Sequence, residues 1–155
     1  MKLLYLNANI LYGECLKKIQ KRSWRRLIKT GVLENLENYS FFTSTLTKME
    51  IIQRLVRDEN IHLDRARKLF SQIVREFNVT QISSLNKLNL LTNTFIDNVL
   101  SSNLDFKDAL HLEIASKYKL DVLTHDKKFL KNHSQHKDKE KFYSRVYKSD
   151  DLFDD

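Results

Sequence analysis

The chain has 155 residues, enough for one domain with a genuine hydrophobic core. Hydrophobic residues make up 41%, which excludes a disordered protein, and the single cysteine, Cys15, excludes an internal disulfide and fits a reducing cytoplasm. Lys and Arg outnumber Asp and Glu by 27 to 20; the resulting charge of +7 favours a polyanionic partner without separating RNA, DNA and membrane surface.

The apolar start, Met1 to Leu11, is broken by Asn7 and Asn9 and is far too short to span a bilayer, so no membrane association is expected. Leu3 to Leu6 reads as a buried parallel strand. A helix follows from about Ile10, entered through Asn7 and Asn9. Its continuation from Cys15 to Lys29 is amphipathic, with Leu16, Ile19, Trp24, Leu27 and Ile28 on one half and Lys17, Lys18, Lys21, Arg22, Arg25, Arg26 and Lys29 on the other. That basic half is either an RNA-steering stripe or a solubilising face. Cys15 falls on the apolar half and is expected in the core.

Phe41 to Thr45 is a second strand, and helices are expected over Thr47 to Arg57 and Leu63 to Phe77. Val79 to Ser83 is a strand, and Leu88, Leu91, Phe95 and Val99 define a further helix. Phe106 to Tyr118 is apolar nearly all round, which predicts a buried helix. Asp121 to Thr124 is a strand, Lys131 to Lys141 a polar loop, and Phe142 to Tyr147 a last strand. With no proline and two glycines, turns fall to Asn35, Asn38, Asn60, Asn78, Asn86 and Asn103. Strands alternating with helices predict a three-layer α/β/α fold around a mostly parallel sheet. One domain is expected over residues 1–147, followed by a frayed acidic tail over 148–155.

In open parallel sheets ligands bind at the carboxyl ends of strands, near the point where strand order reverses. Leu6-Asn7-Ala8-Asn9 and Leu123-Thr124-His125-Asp126 both leave strands at such ends. These segments, with Glu50 on a helix, the Asp108-Ala109-Leu110-His111 helix start, and Phe129 after Thr124-His125-Asp126, resemble the motifs of a PIN domain over essentially the whole chain. The resemblance implies a flavodoxin-like sheet and a metal-dependent endoribonuclease holding Mg²⁺ or Mn²⁺ through Asn7, Glu50, Asp108 and Asp126, with Asn9 and Thr124 orienting that set. Hard divalent cations take oxygen ligands, and Mg²⁺ uses one or two carboxylates with water and substrate phosphate.

The departure is Asn7, where the family has aspartate. Asparagine keeps the shape and one oxygen but loses the charge, which implies weaker metal binding and impaired catalysis. It is either a naturally decayed nuclease or a deliberate change that keeps a toxic protein harmless; the intact remaining motifs favour the second. Stand-alone PIN domains of this size are most often VapC-type toxins, which implies RNA as substrate, an antitoxin partner covering the acidic cleft, and a homodimer. The alternatives are a PIN nuclease of RNA processing or decay without antitoxin, and a catalytically silent RNA-binding scaffold. A phosphoacceptor receiver-like domain would need an acidic pair directly after the first strand, which is absent. Asp105 and Asp121 are read as solvent-facing helix caps, and His111 and His125 as neighbours of the acidic set that touch RNA.

Overall fold

The computed structural model describes residues 2–20, 33–83, 104–134 and 144–152, together with Asp97 and Leu100. In chain order the elements are β1 (Lys2–Leu6), α1 (Ala8–Lys18), β2 (Tyr39–Ser44), α2 (Thr45–Arg57), α3 (Leu63–Glu76), β3 (Thr80–Ile82), α4 (Phe106–Lys117), β4 (Asp121–Leu123), α5 (Lys127–Ser134), β5 (Val146–Tyr147) and a 3₁₀ turn over Ser149–Leu152. The five strands form one parallel sheet in the order β3-β2-β1-β4-β5. The chain winds outward through β2 and β3 on one side of β1, then crosses to β4 and β5 on the other. Strand order therefore reverses between β1 and β4, the point at whose carboxyl ends open parallel sheets commonly bind ligands.

Alternation along β1 sorts two cores onto the two faces of the sheet. Leu4 and Leu6 pack with Ile10 and Leu11 of α1, Ile51 and Leu55 of α2, and Phe70 and Ile73 of α3. Tyr5, one residue out of phase, packs with Ala109, Leu112 and Ala115 of α4, Val122 of β4 and Phe129. The fold is a three-layer, flavodoxin-like α/β/α sandwich, as the alternation of elements predicts. Full burial of each such aliphatic side chain stabilises it by roughly 1.5–3 kcal/mol. Cys15 is fully buried in the first core. Among the described residues no helix is long and apolar enough to cross a membrane.

Several expectations are corrected. The first helix begins at Ala8, with Asn7 as its N-cap, and stops at Lys18 instead of running to Lys29. Ile19 and Gln20 close it through N–H bonds to Cys15 and Lys17 carbonyls, and Gln20 turns the chain away at φ 56°. Of the expected basic face, Lys17 and Lys18 lie in α1. Lys21, Arg22, Arg25, Arg26 and Lys29, like the helix expected across Leu88 to Val99, lie outside the described residues. Lys131 to Ser134 belongs to α5 and not to a loop, because the Asp126 carboxylate accepts the Lys128 and Phe129 N–H groups at 2.8 and 3.1 Å and starts a helix there. Among the described residues of the last expected strand, Val146 and Tyr147 pair with β4. The acidic tail is not frayed through Leu152, whose side chain is buried in the first core. Asp121 caps no helix; it lies in β4 and accepts the Arg145 N–H at 2.9 Å.

Candidate active site

Asn7 leaves β1 into α1, buried, its N–H donated to the Leu123 carbonyl of β4 at 3.0 Å. Thr124 leaves β4 beside it, fully buried. The two strand ends are tied together by side chains. Asn9 donates through Nδ2 to Thr124 Oγ1 at 3.1 Å and accepts the His125 N–H through Oδ1 at 3.2 Å. Thr124 Oγ1 in turn accepts the Asp126 N–H at 3.1 Å. Asn9 and Thr124 thus fix the backbone that carries Asp126, whose Oδ1 is committed to the start of α5.

Asp108 sits in the first turn of α4, only 8% exposed, with its N–H capped by Asp105 at 3.0 Å. Its carboxyl is pushed up to about 7, first by burial and then by the negative charges of Asp105, Asp126 and Glu50, against a small opposing pull from Lys107. This mutual repulsion links α2, α4 and the β4–α5 turn to one locus. Asp105 caps its helix from an exposed position, as read from the sequence.

Glu50 is half-buried on α2, and its Oε1 lies 2.9 Å from His111 Nε2. His111 is 1% exposed, so it is no RNA-facing neighbour; its ring is enclosed between Glu50 and the Tyr5 hydroxyl, 2.8 Å from Nδ1. The Tyr5 hydroxyl also meets Ser44 Oγ at 2.6 Å and Thr47 Oγ1 at 2.9 Å. Burial drives the Tyr5 pKa far above its usual value, so it stays a neutral phenol. Tyr5 was read only as part of an apolar strand. Its signal in the sequence was present but unused: a hydroxyl-bearing aromatic amid leucines needs a partner when buried.

Of the basic residues on the expected stripe, Lys17 and Lys18 are described, and their ammonium groups pair with Glu34 at 2.9 Å and Glu76 at 2.6 Å. A different set of cations shares a groove with Glu50. An open groove of about 840 Å³ includes Glu50, is floored by Leu46, Met49, Ile52 and Val56, and is edged by Lys48, Arg57, Arg67 and Lys107.

In chemical kind, this oxygen donor set suits a hard divalent cation, which would relieve the repulsion that holds Asp108 partly protonated. Among the described residues no group of three or more His, Cys, Asp or Glu side chains is arranged to hold a metal ion.

The crystal structure of PAE2754 from Pyrobaculum aerophilum is similar to this fold, with a TM-score of 0.53 at 15% identity over 97% of this chain and 86% of that one. The likeness shows the fold. No family model matches the chain, and no curated protein sequence does.

Proposed function

We propose that this chain is a metal-dependent endoribonuclease of the PIN-domain class, of the VapC toxin type, weakened by asparagine at position 7. The observation that carries the reading is the buried Asp108 carboxyl, raised to about 7 by burial and then by the charges of Asp105, Asp126 and Glu50, with Asp126 held at the β4 end that Asn9 and Thr124 tie to β1. Bound Mg²⁺ or Mn²⁺ would supply an activated water and offset charge on the attacked phosphate.

The chain's own residues divide the remaining work. Asp108 and Asp126 offer carboxylates, and Glu50 offers a third whose Oε1 is already engaged by His111. Asn7 contributes one uncharged oxygen, and this is the weak point: a neutral ligand neither attracts a cation nor lowers the proton affinity of Asp108 through it. Asn9 and Thr124 hold the two strand ends in register. Lys48, Arg57, Arg67 and Lys107 edge the groove on the Glu50 side and would draw RNA phosphates toward the carboxylates. On this reading the protein works in the cytoplasm as a homodimer, restrained by an antitoxin that covers the cleft.

A second reading, a silent RNA-binding scaffold, is favoured by Asn7 itself and by the lack of a tight ligand triad among the described residues. The same site also fits a PIN nuclease of RNA processing without antitoxin. Cleavage of a structured RNA by this chain and by its Asn7→Asp form, with and without Mn²⁺, separates enzyme from scaffold. The Asn7→Asp form should cut at least about tenfold faster with Mn²⁺, and adding Asp126→Asn should abolish cutting. No cleavage by Asn7→Asp with either metal would leave the scaffold reading.

A further inference from the structure

The hydrogen bonds around Tyr5 have a direction, and that direction ends on Glu50. A carboxylate only accepts, so at 2.9 Å from Glu50 Oε1 the hydrogen sits on His111 Nε2. If the ring carries only that one hydrogen, Nδ1 is the acceptor and the Tyr5 O–H, 2.8 Å away, donates to it. With its proton spent there, the Tyr5 oxygen accepts from the hydroxyls of Ser44 and Thr47. The donors run from the carboxyl end of β2 and the first turn of α2, through β1 and α4, and back to α2. Each bond polarises the next.

We propose that His111 is a positioning residue for Glu50, its Nε2–H directed at one carboxylate oxygen and its ring braced from behind by the Tyr5 hydroxyl, so that this oxygen is fixed within the protein and the other is presented to a cation. The inference rests on the metal-dependent reading above. Its physical basis is a contact between helices 61 residues apart, in which a fully buried ring meets a partly exposed carboxylate. A ring 1% exposed, tilted at 49° to the Tyr5 ring with centroids 5.7 Å apart, has little room to turn. A glutamate on a helix surface otherwise samples many rotamers, and ordering it on binding would cost affinity. Partners that orient metal ligands are commonly worth about 10–100-fold in metal affinity.

Two substitutions divide the ring's roles, because a glutamine amide reaches the Nε2 position and an asparagine amide the Nδ1 position. In the Asn7→Asp background, His111→Asn should weaken Mn²⁺ binding by about 10–100-fold, whereas His111→Gln, which restores the donor to Glu50, should recover most of that loss. Equal Mn²⁺ affinities for the two folded variants would overturn the proposal. If either variant fails to fold, Tyr5→Phe replaces it, with a smaller loss of affinity expected and no loss counting against the relay. Nitrogen-15 NMR of the imidazole at one fixed pH supplies the readout that needs no metal. The Nε2–H form of His111 should dominate in the unaltered chain, and Tyr5→Phe should shift the Nδ1 resonance as its hydrogen-bond partner is lost; a dominant Nδ1–H form would overturn the relay. Should the Asn7→Asp parent bind no Mn²⁺, the metal reading fails, and the tautomer spectrum alone then decides whether Tyr5 braces His111.

Discussion

At the scale of single residues, Asp108 holds the tension of the site. Its carboxyl rises from 3.8 to about 7 because burial and three neighbouring acids disfavour the charged form. The folded state therefore binds this proton more tightly than the unfolded state. Below pH 4 both states are protonated and nothing is lost; between pH 4 and 7 the unfolded chain ionises first, so stability falls as pH rises and levels off above 7. Asp108→Asn removes this titration while keeping the shape. After discounting for partial solvent screening, it should stabilise the metal-free protein at pH 8 by about 1–2 kcal/mol, which is roughly 2–8 °C in Tm for a chain of this size, with little effect at pH 4. Thermal melts at the two pH values test this, and an equal shift at both would mean that the acid cluster is not the cause. Asp108, Asp126, Asn9 and Thr124 were legible in the sequence because short motifs sit at strand ends and helix starts. His111 was seen but misassigned, since flanking a motif says nothing about burial, which only the packing of α4 on β1 decides.

At the scale of elements, most strands and helices followed from periodicity, and the errors gather at boundaries. Pattern alone carried α1 on to Lys29 because the apolar spacing continues, yet Gln20 adopts φ 56° and turns the chain. Lys119 does the same at φ 55° between α4 and β4. Asn60 and Asn78 close α2 and α3 at φ 54° and 50°, and these turns were legible because asparagine tolerates the left-handed region. With only two glycines in the chain, glutamine and lysine hold positions where glycine would be unstrained. Lys119→Gly should therefore stabilise the protein by about 0.5–1 kcal/mol net of the glycine's extra chain entropy. Asn78→Gly should change little. A chemical-denaturation midpoint that drops for Lys119→Gly would show that the side chain contributes more than the strain costs. The start of α5 was missed for a local reason: Asp126 was read as a metal ligand, and its second task as a helix cap went unused.

At the scale of the whole molecule, topology assembles the site. Asn7, Glu50, Asp108 and Asp126 span 119 positions (126 − 7) of a 155-residue chain. They are carried toward the same carboxyl rim only because strand order reverses between β1 and β4. The order of the motifs made this architecture legible in advance. The Tyr5–His111–Glu50 connection was not legible, because it depends on β1 register and on two helices from opposite faces of the sheet. Charge density along a sequence does not reveal which charges are paired. Lys17 and Lys18 meet Glu34 and Glu76, while the groove-edging Lys48, Arg57, Arg67 and Lys107 are scattered along the chain.

On the proposed reading, the charge absent at Asn7 is what the site lacks for binding a divalent cation. Titration calorimetry with Mn²⁺, on this chain and on Asn7→Asp at pH 7.5, measures that most directly. The account predicts that Asn7→Asp binds at least about 10–100-fold more tightly, with protons released as Asp108 gives up its share. Equal Mn²⁺ affinity for the two forms would contradict it and remove Asn7 from the site.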